Sequence, residues 1–166
     1  MRSILTLSLF LALLALTACG AGGQPAEEPS AYAANPWVDC ASLEEAADLA
    51  GFSLAVPDRI EGYPNVFLQA VENDMIQVFY CTKDPGAEGG SRVLIRKGVG
   101  TEDISGDYGQ YAEEETVGMH GVDVSVKGED GLVHTAIWTQ AGYAYSISAD
   151  DGLSRETVEG LVELVK

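Results

Sequence analysis

The sequence predicts an α+β fold in which a single antiparallel β-sheet of about six to eight strands has an N-terminal and a C-terminal helix packed on it. Short runs of β-branched and aromatic residues recur from Phe52 onward, separated by Pro, Gly or Asn-Asp signals. In Val122–Lys127, apolar and polar side chains alternate strictly, as in a half-buried strand. Helix-capping patterns stand before and after these runs, which completes the predicted α+β order.

The strand-like runs fall into two groups along the chain. The first contains FSLAVP, VFLQAVE, MIQVFYCT and RVLIRKG, and the second contains ETVGM, VDVSVK, LVHTAIWT and YAYSISA. Turn sequences at Glu72–Met75, Lys127–Gly131 and Gln140–Gly142 separate consecutive runs. Because such short turns join antiparallel strands, we expect neighbouring runs to pair antiparallel.

Two helices are predicted from their caps. Ser42 and Glu45 form a capping box, and Gly51 supplies a stop, so the first helix covers about residues 42–50. Ser154 is the expected N-cap of the second helix. Its apolar stripe has helical spacing and consists of Val158, Leu161, Val162 and Val165. The stripe predicts that this helix packs on the sheet.

The first residues predict export and lipidation. Arg2 precedes an apolar run that is shorter than a spanning helix needs, as in a signal peptide. Leu16-Thr17-Ala18-Cys19 resembles the lipobox of bacterial lipoproteins, which implies a lipid on Cys19. We therefore expect a signal peptide at 1–18, the lipidated Cys19 with a flexible tether at 19–36, and the globular domain at 37–166. The expected location is the extracytoplasmic side of the cell membrane.

The charge limits the classes of partner. The chain has a net charge of −17, and loss of Arg2 with the leader makes the mature chain more negative still. Such a charge repels phosphate backbones and anionic lipid surfaces, which argues against nucleic-acid binding. The expected partners are the membrane, through the lipid on Cys19, and an envelope protein or peptide.

Cys40 and Cys81 form an even pair once Cys19 carries a lipid. In an exported domain such a pair is a disulfide candidate, and a bond across the intervening loop would stabilise the domain by roughly 3 to 4 kcal/mol. The alternative is two unpaired buried thiols, because the sequence does not establish their geometry.

One charged stretch is the candidate for a ligand or partner groove. It places Arg96 and Lys97 ahead of the EDISGDY segment, which contains Asp103, Asp107 and Tyr108. We expect Asp103 or Asp107 to fold back on Arg96, and Tyr108 or Tyr111 to pack at the sheet edge. A loop held by charge in this way suits the border of a groove.

The same segment offers a metal-binding alternative. Asp103, Ser105, Asp107 and Glu114 fall at the first, third, fifth and twelfth positions of a calcium loop. Tyr108 stands where that loop requires glycine, and no flanking helix is predicted. The prediction is therefore no metal, and no cofactor either.

Catalytic motifs are sparse. His120 lies in a turn, and His134 lies within a predicted strand, without a nucleophile-elbow serine or zinc-type spacing. We expect a non-catalytic binding or sensing module. The alternatives are an envelope hydrolase that uses His134 with a nearby acid, and a purely structural lipoprotein.

Three stretches also carry a family resemblance. GFSLAVPDRIEGY, VLIRKGVGTEDISGDYGQY and AIWTQAGYAYSIS resemble a domain of unknown function in small bacterial lipoproteins and in extracytoplasmic parts of membrane-anchored regulatory proteins. The resemblance covers nearly all of residues 35–166. It implies a sheet-and-helix domain outside the membrane, with no established reaction and no catalytic residues to transfer. The Cys40 and Cys81 pair is not a feature of that family.

Overall fold

The structure, a computed structural model, describes residues 35–84 and 87–166. Its elements in chain order are β1 (Val38–Cys40), α1 (Leu43–Ala50), β2 (Asn65–Val71), β3 (Met75–Cys81), β4 (Arg92–Val99), β5 (Glu113–Met119), β6 (Val122–Glu129), β7 (Leu132–Gln140), β8 (Tyr143–Leu153) and α2 (Arg155–Leu164). The leader, Cys19 and most of the predicted tether lie outside the described residues. None of the helices described is both long and apolar enough to cross a membrane.

All eight strands belong to one open sheet in the order β1-β2-β3-β4-β8-β7-β6-β5. Every neighbouring pair is antiparallel, which confirms the prediction of a single antiparallel sheet of six to eight strands. The two meanders, β1 to β4 and β5 to β8, meet where β4 pairs with β8. Because β5 lies at the far edge, the chain that leaves β4 has to cross three strands to reach it.

One predicted strand is wrong, and another strand takes its place. FSLAVP at residues 52–57 is not a strand, whereas Val38–Cys40 forms β1 along the edge of β2. The backbone of Ala55 instead exchanges two hydrogen bonds with Lys166, at 3.0 and 3.3 Å. Leu54 is buried all the same. The apolar composition of this segment therefore reflects core packing without strand pairing.

The hydrophobic core lies on one face of the sheet. Residues opposite each other in the register share a face, and on this face Val78, Ile95 and Ile147 are almost completely buried. Both helices belong to the same core cluster, through Ala46, Ala50, Val158, Leu161, Val162 and Val165. We call this the helix face and the opposite side the open face.

The helix ends are capped by side chains. Ser42 Oγ accepts from the Glu45 amide at 3.1 Å, and Glu45 Oε2 accepts from the Ala41 amide at 2.7 Å. Ser154 Oγ accepts from the Thr157 amide at 3.1 Å at the start of α2. These bonds satisfy amide groups that have no partner inside the helix.

The expected Cys40–Cys81 disulfide is absent, and both thiols are free. Cys40 lies opposite Leu68, and Cys81 lies opposite Asn65, on the two sides of β2. Because positions 68 and 65 differ by an odd number, the two cysteines project from opposite faces of the sheet. The register therefore separates the sulfur atoms.

Candidate functional site

The segment between β4 and β5, residues 100–112, lies on the open face and covers part of it. Strand order explains its course, because this segment crosses β8, β7 and β6 on its way to the sheet edge. Its contacts with Arg96 on β4 and Thr135 on β7 mark that path. The candidate site lies where this crossing segment meets the sheet.

A row of polar side chains leads to the site from the β1 edge. Asp39, Gln69, Gln77 and Arg96 occupy one register row across four adjacent strands. Gln69 Nε2 donates to Asp39 Oδ1 at 2.7 Å, and Gln77 Nε2 donates to Gln69 Oε1 at 2.6 Å. Arg96 Nε then donates to Gln77 Oε1 at 3.0 Å. The row holds one edge of the guanidinium in a fixed position.

The crossing segment holds a second part of Arg96. Nη1 donates to the carbonyl oxygens of Ile104 and Ser105, at 2.8 and 3.0 Å. Gly106 packs directly against the guanidinium, since a Cβ built at that position would lie 2.8 Å from Nη1. The Trp37 ring centroid also lies 5.8 Å from Arg96 Cζ, within the range of a cation–π contact.

Arg96 has no carboxylate partner among the described residues. The arginine–carboxylate ion pairs among the described residues are Arg92–Asp150 and Arg155–Glu115, and neither involves Arg96. Burial, together with the positive charge of Arg92, lowers the pKa of the Arg96 guanidinium. Such a group still remains charged at neutral pH. The expectation that Asp103 or Asp107 pairs with Arg96 is therefore wrong, because backbone carbonyls take that place.

Asp107 organises the other end of the segment. Its carboxylate accepts from the Gly109 amide at 2.8 Å, from the Tyr111 hydroxyl at 2.7 Å and from the Thr135 hydroxyl. Burial alone would raise the pKa of this carboxyl, but the three hydrogen bonds hold the pKa below its ordinary value. Asp107 therefore pins the crossing segment to β7 as an anion.

Arg96 and Asp107 line a common cavity of about 410 Å³. The wall also includes Phe79, Arg92, Leu94, Ser105, Gly106, Tyr111, His134, Ser148, Ala149 and Asp150. This volume lies in the range of small-ligand sites. Ser148 Oγ is buried and has no hydrogen-bond partner among the described residues. We call this space the Arg96 cavity.

A larger cavity of about 720 Å³ adjoins it on the β1 side. Phe79 and Arg92 belong to the walls of both, so the two spaces are neighbours across these side chains. Phe67, Gln69 and Lys83 are among its other wall residues. We call the second space the edge cavity.

Three of the predicted groove residues lie outside the Arg96 cavity. Lys97 projects from the helix face, where it is 7% exposed and its Nζ donates to the Ser53 carbonyl at 2.7 Å. Burial lowers the pKa of its ammonium group. Asp103 accepts from the Ser105 amide and hydroxyl, at 2.8 and 2.6 Å, and so serves a local turn. Tyr108 is 95% exposed and does not pack at the sheet, whereas Tyr111, the other tyrosine expected there, stacks on His134 of β7.

Lys97 is instead surrounded by aromatic rings. Its Nζ lies 4.6 Å from the Tyr143 ring centroid, 5.3 Å from that of Tyr145 and 5.5 Å from that of Phe52. These contacts and the Ser53 carbonyl stabilise an ammonium group that burial would otherwise destabilise. Lys97 is part of the core.

His134 lies in the wall of the Arg96 cavity but belongs to no triad among the described residues. Its Nδ1 lies 3.1 Å from the Ala149 carbonyl oxygen, which can only accept, so Nδ1 carries a proton. Its ring stacks on Tyr111, with centroids 5.3 Å apart and an interplanar angle of 19°. No serine hydroxyl or carboxylate of residues 35–84 and 87–166 hydrogen-bonds to this ring.

The calcium-loop positions do not converge. Asp103 Oδ1 accepts hydrogen bonds from Ser105, and the Asp107 carboxylate accepts from Gly109, Tyr111 and Thr135. Glu114 lies on β5, opposite Lys127. Within the part of the chain that the structure describes, no three His, Cys, Asp or Glu side chains come together as metal ligands.

Sequence reasoning missed several residues of the site, above all Gln77 and Ser148. Gln77 is a polar residue inside the apolar stretch MIQVFY, and it is 3% exposed. Ser146 and Ser148 alternate with apolar residues in YAYSIS. A buried polar residue in a strand usually has a hydrogen-bond partner, so a polar residue within an apolar strand sequence indicates a candidate site position.

No family model matches the chain, and neither a curated protein nor a solved structure matches it.

Proposed function

We propose that this chain is a membrane-anchored extracytoplasmic lipoprotein whose domain binds a ligand, without catalysis, in the Arg96 cavity. One observation carries the proposal. In a chain of net charge −17, a half-buried guanidinium lines a cavity and has no carboxylate partner among the described residues. An unpaired buried charge is costly, and a charged ligand group would offset that cost.

The surroundings of Arg96 favour binding because they are already ordered. Gln77 Oε1 and the two backbone carbonyls fix the guanidinium before any ligand arrives. Asp107 fixes the crossing segment, which contributes Ser105, Gly106 and Tyr111 to the cavity wall. Since the helices lie on the other face of the sheet, they leave this face accessible. A site that is ordered in advance loses less entropy when it binds.

The absence of catalysis is inferred from His134, the residue on which the hydrolase alternative depends. Its Nδ1 is engaged with the Ala149 carbonyl, and its ring lies against Tyr111. A general base in acyl transfer needs a nucleophile within hydrogen-bond reach, and His134 makes no such contact with the residues that the structure describes.

Anchoring is inferred from the sequence alone. The apolar leader, the Leu16–Cys19 lipobox and the Gly- and Pro-containing residues up to 36 support a lipid on Cys19 and a location outside the cell membrane. Mass spectrometry of the mature protein tests this part. A modified Cys19 at the N-terminus is expected, and any other starting residue would contradict it.

Binding is tested by thermal denaturation of the purified full chain with small-molecule and peptide fractions of a bacterial envelope extract. Ligand binding to the folded state should raise the melting temperature by several degrees in one fraction. Arg96→Gln should lose that increase, whereas Arg155→Gln, on α2 and paired with Glu115, should keep it. The bound compound should also be recovered with unchanged mass.

Two outcomes would instead favour the hydrolase or the structural lipoprotein. A ligand recovered in cleaved form, with the cleavage lost in His134→Gln, would favour the envelope hydrolase. No effect of any fraction on the melting temperature would favour a purely structural lipoprotein.

A further inference from the structure

We propose that the ligand is the C-terminal end of an extended peptide, with its terminal carboxylate bound by Arg96 and its preceding residues in the edge cavity. The inference rests on the proposed function, because it names the chemistry that the Arg96 cavity would recognise. It follows from the hydrogen-bond groups of the cavity, its balance of charges and the space beside it.

The donors left unused in the Arg96 cavity suit a carboxylate. Arg96 Nε donates to Gln77, and Nη1 donates to two carbonyl oxygens. Nη2 donates to no acceptor among the described residues. Ser148 Oγ, in the same wall, is buried without a partner. A carboxylate has two oxygen atoms, each of which accepts hydrogen bonds from groups of these kinds.

The charges in the wall favour a single negative charge over a phosphate. Arg92 is already paired with Asp150, with Nε and Oδ1 3.4 Å apart. Asp107, which lines the same cavity, remains an anion. A dianionic phosphate group would therefore face one unpaired guanidinium and two carboxylates. A monoanion matches Arg96, the one guanidinium in this wall that has no carboxylate partner among the described residues.

The edge cavity gives the rest of a peptide a place to lie. Its wall combines the rings of Phe67 and Phe79 with polar groups such as Gln69 and Ser91. An extended chain advances about 3.3 Å per residue, so a few residues would span both cavities. Aromatic rings suit apolar side chains, and polar groups suit a peptide backbone better than an alkyl chain. The mixed wall therefore favours a peptide over a fatty acid.

Fluorescence anisotropy with the purified full chain tests this inference. The probes are two fluorescein-labelled pools of pentapeptides with randomised sequence, one with a free C-terminal carboxylate and one with a C-terminal carboxamide. The carboxylate pool should bind at least about tenfold more tightly than the carboxamide pool, as for a lost charge-assisted hydrogen bond. Equal affinity of the two pools would overturn the inference.

Three variants assign the effect to the cavity. Arg96→Gln should remove the difference between the pools, and Arg155→Gln should retain it. Because Arg96 also holds the crossing segment, Ser148→Ala serves as a second variant that leaves the guanidinium in place. Ser148→Ala should weaken binding of the carboxylate pool several-fold and leave binding of the carboxamide pool unchanged. Circular dichroism confirms that the variant is folded. A Ser148→Ala variant that affects both pools alike would contradict the carboxylate assignment.

Competition with decanoate and with N-acetylglycine separates the sources of a carboxylate. A peptide ligand predicts that each displaces the labelled pool at least about tenfold less well than unlabelled pentapeptide acid. Equal displacement by decanoate would overturn the peptide assignment in favour of a free fatty acid. If an envelope fraction raises the melting temperature through Arg96 but neither pool binds, the peptide inference fails and the proposed function stands.

Discussion

The Nη1 atom of Arg96 lies 2.8 Å from the position that a Cβ atom at Gly106 would occupy. Gly106 also has a φ of +67°, in the left-handed region. The absence of a side chain at position 106 therefore allows both the turn and the approach of the guanidinium to its two backbone carbonyls.

Gly106→Ala should destabilise the domain and displace Arg96. The left-handed conformation alone costs an alanine about 1 to 2 kcal/mol, and the contact with Nη1 adds to it. Urea denaturation measures the change in the free energy of unfolding. Gly131→Ala is the matched control, because Gly131 has a φ of +75° and no atom within 4 Å of a built Cβ. Equal losses in the two variants would show that the Arg96 contact is unimportant.

Asp107→Asn should lower stability at neutral pH by about 1 to 2 kcal/mol, since it removes the charge from three hydrogen bonds. The pKa of Asp107 in the folded chain lies below its ordinary value of 3.8. Its stabilising effect is therefore complete above that value and disappears as the pH falls through the folded-state pKa. Melting temperatures from pH 7 to pH 2 should show the gap between wild type and Asp107→Asn closing below about pH 4.

The exposed Asp123 on β6 supplies the control for that experiment. Asp123→Asn should leave the acid part of the profile close to that of wild type. A gap between wild type and Asp107→Asn that stays constant down to pH 2 would contradict the role given to the Asp107 carboxylate.

Lys97→Ala should reduce stability by about 2 to 4 kcal/mol, because it empties a buried site and removes the contacts of the ammonium group with aromatic rings. Ligand-dependent changes in melting temperature should stay as in wild type, since Lys97 projects from the helix face. If a folded Lys97→Ala protein lost the ligand-dependent change in melting temperature, Lys97 would have to be assigned to the ligand groove after all.

Cys40 and Cys81 should both react with iodoacetamide in the denatured, unreduced protein, and mass spectrometry should show two carbamidomethyl groups on the peptides that contain them. In the folded protein the reaction at neutral pH should be slow, because burial raises the pKa of both thiols. Reactivity that appears only after addition of a reductant would reveal a disulfide.

The sheet itself was predictable, because apolar alternation of period two is visible in stretches such as Val122–Lys127. The strand order was not, since nothing local in the sequence states that β4 pairs with β8. That single pairing sends residues 100–112 across the open face and creates the cavity. Long-range pairing therefore decided the part of the fold on which the candidate site depends.

Within the site, the sequence identified Arg96 and Asp107 but grouped Lys97 with them. Consecutive residues of a strand point to opposite faces, so Arg96 and Lys97 were never able to share a groove on β4. Gln77 and Ser148 were not predicted as site residues because their role depends on cross-strand neighbours. A register was needed before either residue could be assigned to the site.

The polar row from Asp39 to Arg96 has a direction. A carboxylate at one end only accepts hydrogen bonds, and a guanidinium at the other end only donates them. Gln69 and Gln77 between them therefore have one amide orientation that satisfies every contact, with each nitrogen toward Asp39 and each oxygen toward Arg96. A flip of either amide would set two donors or two acceptors against each other. The two glutamines can therefore reverse only together, and only if both ends of the row change. The two charged ends therefore determine the direction of every hydrogen bond in the row.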